Sequence, residues 1–164
     1  RKLRWNYVDL DKARCDIPAE LMKEKRDHIV PLATQAVEIL RELHRVTGRR
    51  ELVFPGARNP RHPMSEGAIT AALKSMGYKS VATPHGFRAT ARPLLDEQLR
   101  ERLDCIDHQL SHKVPDTLVR AYNRTTHLEE RTAMMQRWAD YLDSLRAAAV
   151  SGNVIQLPFD SAAE

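Results

Sequence analysis

The stretch TPHGFRAT, Thr83 to Thr90, sets His85 and Arg88 three positions apart behind a proline. On a helix, positions i and i+3 share a face, so both heads can meet one ligand at the helix N-terminus. Unpaired N–H groups and the helix dipole already favour an anion there. Arginine adds a fixed charge, and histidine gives or takes a proton near neutral pH. Downstream, SHKVPDTLVRAYNR brings His112 and then Tyr122 in a short basic segment. A phenol titrates near pH ~10, so tyrosine attacks only where cations and a base lie beside it. Two histidines, an arginine and a tyrosine suit phosphoryl transfer, where the main task is to offset charge on the non-bridging oxygens. Taken singly, each has a plainer reading: a local cap, a surface ion pair, a tyrosine that anchors a helix.

A second pattern competes. His108 and His112 stand at i and i+4, a metal-ligand spacing. No cysteine or acidic residue is placed to complete the set, and stoichiometric zinc would be needed to carry that reading.

The elements that must hold these groups are legible in outline. Tyr7 to Leu32 reads as short strands, with turn chemistry at Asp9 to Lys12 and AELMKEKRD as the charged tip of a hairpin. From Thr34 the period becomes helical through Val37, Leu40, Leu43 and Val46, with Gly48 as a stop. ELVFPGARNPRHPMS is loop, with a brief extended piece at Leu52 to Phe54. Ser65 is an expected N-cap for a helix through Ile69, Leu73 and Met76, ended by Gly77. Thr83 and Pro84 read as N-cap and first position of a helix holding Phe87, Ala91, Leu94 and Leu95, with Pro93 tolerable at a kink. Leu103, Ile106 and Leu110 mark another helix, and a short one is expected from Leu118 to Tyr122. The last helix carries Leu128, Met134, Met135, Trp138, Leu142 and Leu145 as an apolar stripe. NVIQLPF then alternates like a strand and is expected to dock as a short extended piece. The expected fold class is mainly α with a small antiparallel β-sheet near the N-terminus.

A chain of 164 residues with 42% hydrophobic and 29% charged content suits one soluble globular domain. It has no apolar run long enough for a membrane span. RKLRWNYVDLD lacks the apolar core of a signal peptide, and Cys15 and Cys105 are the only cysteines, so a cytoplasmic protein with reduced thiols is expected. The net charge of +4 and the excess of arginine over lysine are compatible with a nucleic-acid partner.

HGFRAT, then QLSH, then AYNR resemble the catalytic domain of tyrosine recombinases, the phage-integrase family, and most nearly the P4-type integrases of prophages and genomic islands. MKEKRDHIVPL is similar to that family's lysine-bearing β-hairpin, and MMQRWADYLDSLR to its segment beyond the tyrosine. The resemblance runs from RWNYVDLD to NVIQLPF and implies site-specific recombination of double-stranded DNA. It makes Tyr122 the nucleophile that forms a 3′-phosphotyrosyl bond, and Arg88 a holder of the phosphate oxygens. His85 and His112 would handle protons. Lys23, with Lys25 as the alternative, would protonate the leaving oxygen. It also implies no metal or other cofactor, and a tetramer of protomers on DNA. The family's first catalytic arginine has no match here, because Arg1 and Arg4 are not in its context. The expectation is therefore a partial catalytic domain at 1–150 with a tail at 151–164, a C-terminal piece that is inactive or nearly so. The alternative is a DNA-binding helical module without catalysis, or a degenerate remnant.

Overall fold

Asp9 makes the first reversal possible. Its Oδ1 accepts the Lys12 backbone N–H at 2.8 Å, and Ala13 takes a left-handed φ of 48°. This tight turn pairs β1 (Val8–Asp9) with β2 (Arg14–Ile17), Val8 opposite Cys15. β3 (His28–Pro31) pairs antiparallel on the far side of β2, with Cys15 opposite Val30 and Ile17 opposite His28. The computed structural model describes residues 1–23, 25–111 and 127–152, and within them the sheet order is β1-β2-β3. The remainder of these residues is mainly helical, so the fold class read from the sequence holds.

α1 (Thr34–Thr47) starts without a side-chain cap of its own. Gln136, on the long helix α5 (Leu128–Val150), meets that need from across the fold. Its Oε1 accepts the Thr34 backbone N–H at 3.0 Å, one of the donors a helix start leaves unpaired. Gln35 then donates to Asp140 and Asp143, both at 2.9 Å, fastening α1 along α5. Val37 and Leu40 are buried, but Val46 is 76% exposed and Thr47 takes the inner position instead. The Thr47 hydroxyl donates to the Val53 carbonyl at 3.1 Å, and the Trp5 indole N–H reaches the Thr47 carbonyl at 3.1 Å. The extended piece expected at Leu52 to Phe54 is a bridge, Leu52 opposite Arg4, with the Val53 N–H on the Leu3 carbonyl.

α2 (Ala68–Ser75) begins later than Ser65 predicts: Gly67 occupies the cap position and Ser65 closes the preceding turn through its carbonyl. Gly77 ends it at φ 90°, a conformation that glycine adopts without a β-carbon clash. α3 (Pro84–Pro93) is capped as its sequence requires, the Thr83 Oγ1 accepting the Gly86 N–H at 2.9 Å. Pro93 has no N–H to continue the ladder, and the chain widens into a π turn at Leu94–Gln98, closed by Leu99 N–H on the Leu94 carbonyl at 3.1 Å. That turn buries two consecutive leucines, Leu94 and Leu95.

α4 (Leu103–Gln109) completes the core: Leu95, Cys105, Ile106 and Met134 are buried together, with Leu99, Leu110, Met135 and Trp138 packed on them. Arg92 binds Asp107 at 3.3 Å between α3 and α4. Arg137 grips Glu101 with two bonds of 2.5 and 2.7 Å. Phe87, Leu103 and Leu142, expected on apolar helix faces, are exposed, as are Ile69 on α2 and Met76 at its C-cap. The short helix expected at Leu118 to Tyr122 and the NVIQLPF tail lie outside the described residues. Among the described residues, no helix is long and apolar enough to cross a membrane.

Candidate nucleic-acid site

Lys23 sits on the exposed turn between β2 and β3. The loop around it is ordered by Pro18 to Met22 turn bonds and by Asp27, whose Oδ1 accepts the Ala19 N–H at 2.8 Å. Lys25 shares the exposed tip in a left-handed conformation, φ 53°. Both lysines therefore stand in solvent at the end of one hairpin, and the geometry does not choose between them.

His85 and Arg88 lie on the exposed first turns of α3. The cap at Thr83 fixes where that helix starts and so where both side chains emerge. One Nη of Arg88 donates to the Leu110 carbonyl at the C-terminal end of α4. Arginine has five N–H donors, so one such bond orients the fork and leaves capacity for a phosphate. His112 follows Leu110 by two residues, but His112 and Tyr122 both lie outside the described residues. The structure thus brings Arg88 to the end of α4 that leads into the His112 segment, with the lysine hairpin on a separate element.

His108, read from the sequence as a candidate metal ligand, belongs instead to a polar cluster with His28 and Arg131, two residues not marked from the sequence. Arg131 on α5 is 0% exposed. Its guanidinium donates to Gln109 Oε1 at 2.7 and 3.0 Å and to the Ile29 carbonyl on β3 at 2.6 Å. Burial brings its pKa down to about 10, so it stays charged at neutral pH. His28 and His108 face each other at 5.8 Å between ring centroids. Burial, followed by the charge of Arg131, lowers both of their pKa values. A signal for Arg131 was present: it occupies the α5 stripe three positions after Leu128 and three before Met134. An arginine in the run LEERT reads as solvated.

His108 carries a pH consequence. Burial, Arg131, His28 and His127 hold its pKa at about 4, against an ordinary value of 6.5. The unfolded chain therefore binds this proton below pH ~6.5 while the folded chain refuses it until pH ~4. Stability is complete above that window and falls as pH drops through it. Urea unfolding of His108→Leu across the same window is expected to show a flatter acid limb than the parent. Parallel limbs would assign the loss to other groups.

The metal reading built on His108 and His112 gains no ligand set among the described residues. Cys105, His127 and Glu130 do lie together, their ligand atoms within 4.8 Å of one another. They are knit by their own contacts, His127 Nδ1 to Glu130 at 2.8 Å and Cys105 Sγ to Glu130 at 3.8 Å. Arg102 places its cation on Glu130 at 2.9 Å, where a metal would have to compete with it. Burial, with Asp104 and Glu130 nearby, pushes the Cys105 thiol up to about 11. Cys15 and Cys105 are both free and buried.

A small antiparallel sheet feeding a helical body, with histidine and arginine leading α3, is the arrangement expected of a tyrosine recombinase catalytic domain. Residues 1–129 match the phage integrase family, and the chain belongs to it. It is 43% identical over 156 residues to prophage integrase IntZ of Escherichia coli K12, covering 95% of this chain and 38% of that protein. It is 41% identical over 171 residues to the integrase of enterobacteria phage P4, covering 95% and 39%. Prophage integrase IntA of Escherichia coli K12 is 40% identical over 152 residues, covering 93% and 36%. The chain thus spans about two-fifths of the length of these curated relatives. No solved structure matches it.

Proposed function

We propose that this chain carries the strand-cleaving residues of a site-specific DNA recombinase acting on attachment sites of a prophage or related mobile element. The observation that carries the reading is the family match over residues 1–129, which includes Lys23, His85, Arg88, His112 and Tyr122 together. In this reading the Tyr122 oxygen attacks a DNA phosphorus, forming a 3′-phosphotyrosyl bond as the bond to the 5′ oxygen breaks. The phenol proton passes to a histidine, His85 or His112, and Lys23 supplies a proton to the departing 5′ oxygen, with Lys25 as its alternative. Arg88 holds the non-bridging oxygens. The phosphate ester stays at the energy of a phosphodiester, so attack by a free 5′-hydroxyl can rejoin strands without a nucleotide cofactor. Arginine, lysine and histidine supply the positive charge that a metal supplies elsewhere.

The family pairs Arg88 with an earlier arginine that no residue here matches. These 164 residues alone are therefore proposed to be inactive or nearly so, since one missing donor costs about 10²–10³ in rate. Residues 1–150 would form part of the catalytic domain, with 151–164 a tail that docks in extended form. Assembly into a tetramer on DNA and a cytoplasmic location belong to the same proposal.

The test uses the protein in its full reading frame with a nicked suicide duplex bearing its attachment site, in EDTA. The expected result is a covalent protein–DNA adduct that survives denaturation. Binding without any adduct, weakening steeply between about 50 and 200 mM salt, would instead favour a non-catalytic DNA-binding module.

A further inference from the structure

Arg131 is costly where it stands. Withdrawing a guanidinium from water costs several kcal/mol, and well-packed apolar groups often serve a core better than a buried charge does. What an arginine offers instead is direction, since its planar fork fixes the relative positions of whatever accepts its N–H groups. Here the fork donates to groups on different elements, among them Gln109, the last residue of α4, and the carbonyl of Ile29 in β3.

Both anchor points lead directly to the candidate site. β3 is the strand that returns from the hairpin tip bearing Lys23 and Lys25. Gln109 immediately precedes Leu110, whose carbonyl holds Arg88. The chain of bonds therefore runs from the hairpin strand through Arg131 to the end of α4 and on to Arg88. The His28 and His108 rings also bring β3 against α4, but the Arg131 fork adds directed bonds that fix the distance between the hairpin strand and the end of α4.

We propose that Arg131 is a positioning residue: it locks the lysine-bearing hairpin to the end of α4, so that the hairpin lysine reaches the leaving oxygen of a phosphate held by Arg88. This rests on the recombinase reading above. In this reading Arg131, 0% exposed, acts through the groups it holds and not on DNA directly. Its effect falls on one step, the proton delivered to the 5′ oxygen as its bond to phosphorus breaks.

The test is single-turnover adduct formation in the full reading frame, on suicide duplexes with either oxygen or sulfur at the bridging 5′ position. A thiolate leaves without a proton, so sulfur removes the need for the lysine. Arg131→Met is expected to cleave the oxygen substrate about 10²-fold more slowly, with DNA affinity within about 2-fold of the parent. On the sulfur substrate its rate should return to within about 3-fold of the parent rate, and Lys23→Ala or Lys25→Ala should show the same rescue. The two losses should not multiply when combined. If Arg131→Met does not fold, Arg131→Lys serves, with a loss of about 10-fold on oxygen alone. Equal losses on both substrates, or no loss on either, overturn the positioning role. Tyr122→Phe separates the two claims: adducts that persist in it sink the recombinase reading, whereas their absence beside unrescued Arg131 variants sinks only this inference.

Discussion

Tyr122→Phe is expected to abolish the covalent adduct, a loss of more than about 10³-fold, while duplex DNA still binds. The substitution keeps the ring and removes only the oxygen that would bond to phosphorus. Its effect therefore separates chemistry from folding and affinity. Four tyrosines are present, and Tyr78, 51% exposed just ahead of α3, is the rival with the best access. Tyr78→Phe should leave adduct yield unchanged. A denaturing gel of the suicide-duplex reaction reads both variants, and a labelled band persisting in Tyr122→Phe would remove the assigned nucleophile.

The second large effect is expected at Arg88. Arg88→Ala should slow cleavage by about 10²–10³-fold, because the charge that develops on the phosphate oxygens would lose a directed donor. Affinity should change far less, with the salt dependence of binding reduced by about one phosphate contact. Arg88→Lys keeps a charge but not the fork, and a single ammonium cannot hold both the Leu110 carbonyl and a phosphate in fixed directions. It is expected to recover less than a tenth of the lost rate, an estimate of order about 10-fold. Recovery to the parent rate would mean that charge alone matters and that the bond to Leu110 orients nothing. Rates measured at saturating protein on the same duplex decide this.

Parts of the fold were plain in the residues because they depend on neighbours in sequence. Asp9 turns the first hairpin through its own side chain, and Thr83 caps α3 within one turn. The mainly helical class with a leading sheet follows from such local signals. Ser65 misled because a good capping side chain does not fix the helix start when the turn at Glu66 and Gly67 intervenes. Val46 and Phe87 misled for a different reason: periodicity marks an apolar face but not what lies opposite it. Leu142 fails in the same way near the far end of α5.

The candidate site divides similarly. Spacing placed His85 and Arg88 on one helix, which α3 carries, while the order of several motifs pointed to the family to which the chain belongs. Arg131 falls on the α5 stripe between Leu128 and Met134, but its partners could not be read this way. In LEERT it looks like any solvated charge, yet it is fully buried and joins Gln109 to the Ile29 carbonyl, 102 residues away in the chain.

By itself, then, the sequence determined the residue types, their order, the caps and turns, and hence the family and the broad class of fold. Each of these is set by covalent neighbours within a turn or two of the chain. Only the tertiary structure decided that α1 is capped by Gln136, that Arg88 is held by the Leu110 carbonyl, and that a buried arginine ties the hairpin to α4. Those bonds join groups far apart in the chain, and burial fixes their worth: a polar group withdrawn from water must find its partner wherever the fold supplies one.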